Sequence, residues 1–341
     1  MESTFIPASV QRPMYPILAQ QESPRVMVLP TIEAKPATLP FIEANTKEVE
    51  MRHLKEDCII PVFSKDNEVT ISHQSFIDTV LEAAQSVFPM ESFTAPAIRV
   101  SHVVKGRIPE AIHKPVNQLL ESDKTIYYER MMFCFEIPSI THTIDGCRLN
   151  LTVGGVRAYN EQNLYAKKSP EKFKIFIGFK NMVCCNLCVS TDGYKSALRV
   201  MDMSALLTQA VELFRAYDLE RHLALMTAYR SIDISESQFA QFLGRCRLYQ
   251  YLPFSERKHL PEMLLTDTQV GAVARSYYED RNFGRTDDPY ISLWKVYNLL
   301  TGSNKISYID NFLDRAQNAT VVTNGLARAL HGDPEYSWFL G

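Results

Sequence analysis

The run Met131-Met132-Phe133-Cys134-Phe135-Glu136-Ile137, followed across Asp145-Gly146 by Cys147-Arg148-Leu149-Asn150-Leu151-Thr152-Val153, decides the fold of this chain. In the second run Cys147, Leu149, Leu151 and Val153 are apolar while Arg148, Asn150 and Thr152 are polar. That period of two belongs to a β-strand. In the first run Met131, Phe133, Phe135 and Ile137 alternate with Arg130, Met132, Cys134 and Glu136. Asp-Gly is a pair that tolerates the positive φ of a tight hairpin turn. The spacing therefore predicts an antiparallel pair, with one face on the core and one largely polar. Gly154-Gly155 follows, where the backbone can turn or be approached closely.

Working outward, Phe173 to Ser190 is rich in Ile, Phe, Val and Cys with little alternation, as in one bent strand or two buried ones. Upstream, Cys58 to Phe63 and Val69 to Ser72 read as an early hairpin. Gln74 to Phe88 reads as a helix stopped by Pro89, and Ile98 to Val104 as another strand. After Arg199 the period changes. Met203, Leu206, Leu207, Ala210, Val211 and Phe214 repeat at helical spacing, as do Phe239, Phe242, Leu243, Cys246 and Tyr249. Ser235 with Gln238, and Thr266 with Gln269, fit capping boxes. The fold class is α+β: an antiparallel sheet with flanking helices in the N-terminal half, then a mostly helical C-terminal half. Residues 1–50, with seven prolines and no sustained period, read as a flexible arm. Residues 51–200 read as the sheet domain, and 201–341 as a helical region packed on it.

Within the helical half, Tyr290 to Arg328 combines strong punctuation with aromatic anchors. Trp294, Tyr297 and Leu300 fall on one helical face. Gly302, Ser303 and Asn304 then provide a stop and a new N-cap. The next helix carries Ile306, Ile309, Phe312, Leu313 and Ala316 on its apolar stripe, with Asp310, Asp314 and Asn318 on another.

The run Leu293 to Arg315, together with Thr152 to Tyr165, resembles an uncharacterised family from gut bacteria over residues from about 55 to the C-terminus. More distantly, the chain is similar to the widespread phage/plasmid-like family of unknown function. The features shared are the helix carrying Trp294, Tyr297, Asn298 and Thr301, an apolar strand ending in Cys-Asn (Val183 to Asn186), and the early hairpin followed by Ser75-Phe76-Ile77-Asp78. The resemblance implies a mobile-element setting and carries no established active site.

A chain of 341 residues with 46% hydrophobic composition supports a substantial core, and a net charge of −3 excludes a histone-like basic binder. Any nucleic-acid site must be a local patch. There is no apolar run of roughly eighteen residues and no basic start leading into an apolar block, so neither a membrane span nor a secretory signal is expected. The seven cysteines suit reduced thiols in a cytoplasm. Cys185-Asn-Leu-Cys188 lacks a second ligand pair and reads as buried thiols.

Four constellations could carry chemistry. Lys167, Lys168, Lys172, Lys174 and Lys180 lie in one connection and the strand behind it, with Tyr165, Phe173 and Phe176 interleaved. Cations contact phosphates and aromatics stack bases, so this mixture can grip a single strand, although a solvated loop has the same composition. Arg157, Tyr159, Asn160, Asn163 and Tyr165 follow the double glycine on a loop, where side chains either bind a ligand or satisfy irregular backbone. Ser303, Asn304 and Lys305 form a phosphate-nest candidate that is equally helix punctuation. Asp310 and Asp314, like charges one turn apart, need neutralising by a cation such as Arg315, Lys305 or Arg328, or by a divalent metal. No P-loop, nucleophile elbow or dinucleotide fingerprint is present, and no cofactor is expected. The leading expectation is a non-enzymatic accessory protein that binds nucleic acid, single-stranded DNA foremost, through 157–180. The alternatives are a protein-interaction factor acting through residues 1–50 and the helical half, and a metal-dependent enzyme on nucleic acid using Asp310 and Asp314.

Overall fold

The computed structural model describes residues 40–58, 70–111, 113–162 and 170–341. Lys47–Val49 (β1) precedes a short helix, Met51–Glu56 (α1). His73–Val87 (α2) is the helix expected over 74–88, and the Ser72 hydroxyl caps it by accepting from the Ser75 amide at 2.9 Å. Cys58 and the stretch from Thr70 to Ser72 are not strand, and the remainder of the expected early hairpin lies outside the described residues. Three long strands follow: Ala97–Arg107 (β2), Lys124–Ile144 (β3) and Cys147–Ala158 (β4). Glu171–Asn181 (β5), Leu187–Cys188 (β6) and Tyr194–Val200 (β7) complete a curled antiparallel sheet in the order β1-β2-β3-β4-β5-β6, with β7 also on β5.

The hairpin expected at Asp145-Gly146 is there, with φ of 49° and 75°, and Ile144 opposite Cys147. Two successive positive φ values give the turn the twist of its strands. The double glycine does not turn the chain. β4 runs straight through it, and a Cβ on Gly154 would stand 2.1 Å from the Phe133 carbonyl oxygen. Close approach is why glycine is required there. The run from 173 to 190 divides into β5 and β6 because 182–186 is a turn. The Cys185 amide donates to the Asn181 carbonyl at 2.7 Å, with Cys185 at a φ of 59°, so Val183 to Asn186 is not the end of a strand.

The remaining elements are Met203–Ala216 (α3), Leu219–Ala228 (α4), Asp233–Ser235 (β8), Glu236–Tyr249 (α5), Phe254–Arg257 (α6), Asp267–Glu279 (α7), Tyr290–Ser292 (β9), Leu293–Ser303 (α8), Ile309–Leu330 (α9) and Ser337–Leu340 (α10). Both expected capping boxes form, at Ser235 with Gln238 and at Thr266 with Gln269. β8 and β9 pair as a small separate ribbon.

Two helical layers enclose the sheet. On one face Ile98, Met131, Phe133, Phe135, Leu149, Leu151 and Val153 join Phe76, Val80, Leu206 and Leu213 in a cluster that also takes in Trp294 and Tyr297 of α8. On the other face Met132, Cys134, Val156 and Phe176 meet Ile309, Phe312, Leu313 and Ala316 of α9. The face expected to be largely polar is thus not solvated: Asn150 and Thr152 are buried. Their polarity is satisfied internally, Asn150 donating to Glu136 at 2.7 Å and Thr152 to the Asn150 carbonyl at 3.0 Å. Phe41 and Ile42 are buried in the same α9 layer, and β1 extends the sheet at β2. The final residues of the expected 1–50 arm therefore belong to the fold, each buried side chain contributing roughly 2 kcal/mol of apolar burial. Residues 1–39 lie outside the described residues.

Candidate functional site

α9 crosses β5, and a seam of charges closes between them. The Lys174 ammonium, buried on β5, donates to an Asp314 carboxylate oxygen at 2.9 Å and to the Asp310 carbonyl, with Glu161 at 3.4 Å. The Tyr194 hydroxyl donates to the other Asp314 oxygen at 2.6 Å, and burial, reinforced by that carboxylate, holds the phenol protonated well above its usual range. Asp310 faces Arg130 and the Asn160 amide, both at 3.5 Å. Two sites that are far apart in sequence, the 157–180 connection and the Asp310/Asp314 pair, therefore lie together. Of the counterions the local sequence offers, Arg315 feels the charges of Asp310 and Asp314, but the direct contacts come from Lys174 and Arg130. Lys305 donates to the Cys184 carbonyl, Arg328 pairs with Asp333 and Glu335, and Arg315 donates to the Leu264 carbonyl and the Ser307 hydroxyl. Among the described residues no three His, Cys, Asp or Glu side chains are grouped to hold a metal ion.

Arg157 is fully buried. Its guanidinium pairs with Glu171 and stacks 4.7 Å from the Tyr159 ring centre and 4.1 Å from that of Phe173. Glu171 also accepts from the Ile71 amide at 3.0 Å, and Tyr159 packs 4.8 Å from the His73 ring. Arg157 and Tyr159 thus tie the start of α2 to the sheet. Lys172 pairs with Glu161, and Lys180 donates to Glu136 at 2.8 Å. Lys172, Lys174 and Lys180 point into ion pairs, while Asn163, Tyr165, Lys167 and Lys168 lie outside the described residues.

At the α8–α9 corner the helical turn continues through Ile306, and α9 starts after Tyr308 instead of at Ser303 or Asn304. The Ser303 hydroxyl donates back to the Leu300 carbonyl at 2.8 Å and the Asn304 amide forward to the Phe312 carbonyl at 2.8 Å. Lys305 is buried, its carbonyl accepting from the Glu43 and Ala44 amides. Cys185 and Cys188 fall in buried surroundings, and burial pushes the Cys188 thiol up to about 12, so it stays protonated and unreactive.

The outer side of α9 carries a feature that helical periodicity passes over. A groove of about 770 Å³ runs between α9 and the 250–266 connection, lined by Gln250, Arg257, Glu262, Asn311, Arg315 and Gln317. A shallower depression of about 460 Å³ shares Arg257, Glu262 and Leu264 with it and adds Phe254 and Lys258. Among the described residues Arg257 and Lys258 make no side-chain hydrogen bond or ion pair, while Phe254 is 74% exposed and Tyr251 71%. Arg257 and Lys258 face the Glu262 carboxylate along this path, while Arg315, engaged with Leu264 and Ser307, lines it beside Asp314. The signal in the sequence is Phe254-Ser-Glu-Arg257-Lys258-His259, an aromatic and basic run at a helix break, where functional residues concentrate.

Residues 23–340 match the family described as "Domain of unknown function, B. Theta Gene description (DUF3871)". No curated protein and no solved structure matches the chain.

Proposed function

The chain belongs to this family of unknown function, so the site's chemistry has to carry the assignment, and we propose that the protein is a non-enzymatic accessory protein that binds single-stranded nucleic acid along the α9 groove. The observation that supports this reading is the coincidence of Arg257 and Lys258, without side-chain partners among the described residues, with exposed Phe254 on one path that Arg315 also lines. Guanidinium and ammonium groups neutralise successive phosphates, and a flat exposed ring accepts a base whatever its sequence. The groove replaces the lysines of the sheet edge as the contact surface, because Lys172, Lys174 and Lys180 are matched by Glu161, Asp314 and Glu136. The mobile-element setting implied by the sequence resemblance is consistent with such a role.

Anisotropy titration of labelled oligo-dT against the full-length protein tests the proposal. Log affinity should fall linearly with log salt, and Arg257→Glu with Lys258→Glu should weaken binding and flatten that slope. Phe254→Ala should weaken binding with the slope unchanged, because stacking releases no ions. Lack of binding to single-stranded DNA and RNA at low salt overturns the proposal, as does binding indifferent to all three substitutions.

A further inference from the structure

Glu262 stands where the α9 groove and the shallower depression beside it meet. Its carboxylate makes no hydrogen bond or ion pair among the described residues. The other carboxylate lining the groove is that of Asp314, whose two oxygens are taken by Lys174 and Tyr194. The main chain that carries Glu262 is pinned to α9. The Asn318 amide nitrogen donates to the Glu262 carbonyl at 2.9 Å while its oxygen accepts from the Leu264 amide at 2.9 Å, and Arg315 donates to the Leu264 carbonyl at 3.1 Å. Asn318 is buried, so water does not compete for these bonds. An exposed group that can only accept hydrogen bonds is therefore offered to the groove from a fixed backbone.

On a path where Arg257 and Lys258 attract phosphates, such a group repels them unless the strand brings it a donor. In a single strand the donors lie on the free Watson–Crick edges of the bases. Thymine and uracil place one N–H between two carbonyl oxygens, which a carboxylate repels. Adenine and cytosine place an amino group beside a ring acceptor. Guanine presents two adjacent donors, N1–H and the exocyclic amino group, and this fork matches the two oxygens of a carboxylate as a guanidinium does. Asn311 and Gln317 line the same groove, and their side-chain amides have no partner among the described residues. Amides of this kind donate to base acceptors such as guanine O6 and N7.

We infer that the groove selects guanine within the single strand, the Glu262 carboxylate accepting from N1–H and the exocyclic amino group. This rests on the nucleic-acid reading of the groove and adds a base preference to it. Arg257, Lys258 and Phe254 hold the strand whatever its sequence, and Glu262 decides which base is favoured there.

Anisotropy titration of the full-length protein with labelled strands of equal length tests this, using oligo-dT, a repeating d(TTG) strand and the same strand with inosine in place of guanine. The d(TTG) strand should bind about tenfold tighter than oligo-dT, as for one bidentate base contact. Inosine keeps N1–H but lacks the amino group, so its strand should lose most of that gain. Glu262→Ala should bind all three alike. The side chain is exposed and the Asn318 bond is to its main-chain carbonyl, so this variant keeps its fold. Binding of oligo-dT with no gain for d(TTG), or a gain that survives inosine or Glu262→Ala, overturns the inference and leaves the groove reading standing. Failure of every strand to bind, in DNA and in the corresponding RNA, overturns both.

Discussion

Lys174 on β5 and Asp314 on α9, 140 residues apart in sequence, meet at 2.9 Å and fasten the longest helix to the sheet. Lys174 is almost wholly enclosed, whereas the Asp314 carboxylate keeps 30% of its exposure. Lys174→Met should cost about 2–3 kcal/mol in urea unfolding, less than breaking a fully buried pair because water still reaches the carboxylate. Asp314→Asn, which keeps an acceptor for Lys174 and Tyr194, should cost less. Equal midpoints for Lys174→Met and the parent would show that the pair contributes nothing.

Trp294 is completely buried in the cluster beneath the sheet and packs 6.1 Å from Tyr297, whose hydroxyl bonds Thr320 at 2.9 Å. Trp294→Ala should destabilise the protein by roughly 3–5 kcal/mol as a large-to-small core change. A variant that melted with the parent while losing oligonucleotide binding would place the ring in a site.

Gly154→Ala tests the tight strand pairing, since its Cβ would meet the Phe133 carbonyl and the Phe176 ring at 2.1 and 2.8 Å. The cost should reach about 3 kcal/mol, because backbone on the partner strand has to move. Gly244→Ala, where nothing lies within 4 Å, is the control and should stabilise helix α5 by up to about 1 kcal/mol. Loss of stability in both would point to a cause other than the strand contact.

Stability should also fall with acid before any carboxylate titrates. Burial lowers the His73 imidazole to about 3, helped by the Arg157 charge, and burial lowers His222 to about 4. Both stay neutral in the folded chain but take up protons near pH 6.5 when unfolded. Their contribution is complete above that pH and is lost as pH falls toward the folded values, by roughly 3 kcal/mol for His222. The urea midpoint should therefore drop between pH 6.5 and 5, and His222→Gln should reduce the drop by about one proton's worth. A flat midpoint across that interval would contradict the neutral buried state.

Much of the fold is legible in short windows. The alternation around Asp145-Gly146 gives the hairpin, the Thr266 and Ser235 boxes give helix starts, and the Trp294 stripe gives a buried face. Less legible is the role of polar residues on otherwise regular elements. Asn150 and Thr152 read as the solvent side of a strand, yet both are buried. Arg157, Lys174 and Lys305 read as ligand contacts, yet each is buried against a partner on another segment of the fold.

By itself the sequence determined the local states of this protein, because period, turn chemistry and capping act within one or two turns of the backbone. Only the tertiary structure decided which charges are free. Coulombic and hydrogen-bond partners are chosen by the packing of α9 on β5, which pairs Lys174 with Asp314 and leaves Arg257 and Lys258 facing an open groove. A lysine inside a strand and one on a loop look alike in sequence, and the difference in their chemistry comes from which carboxylate the fold brings within reach.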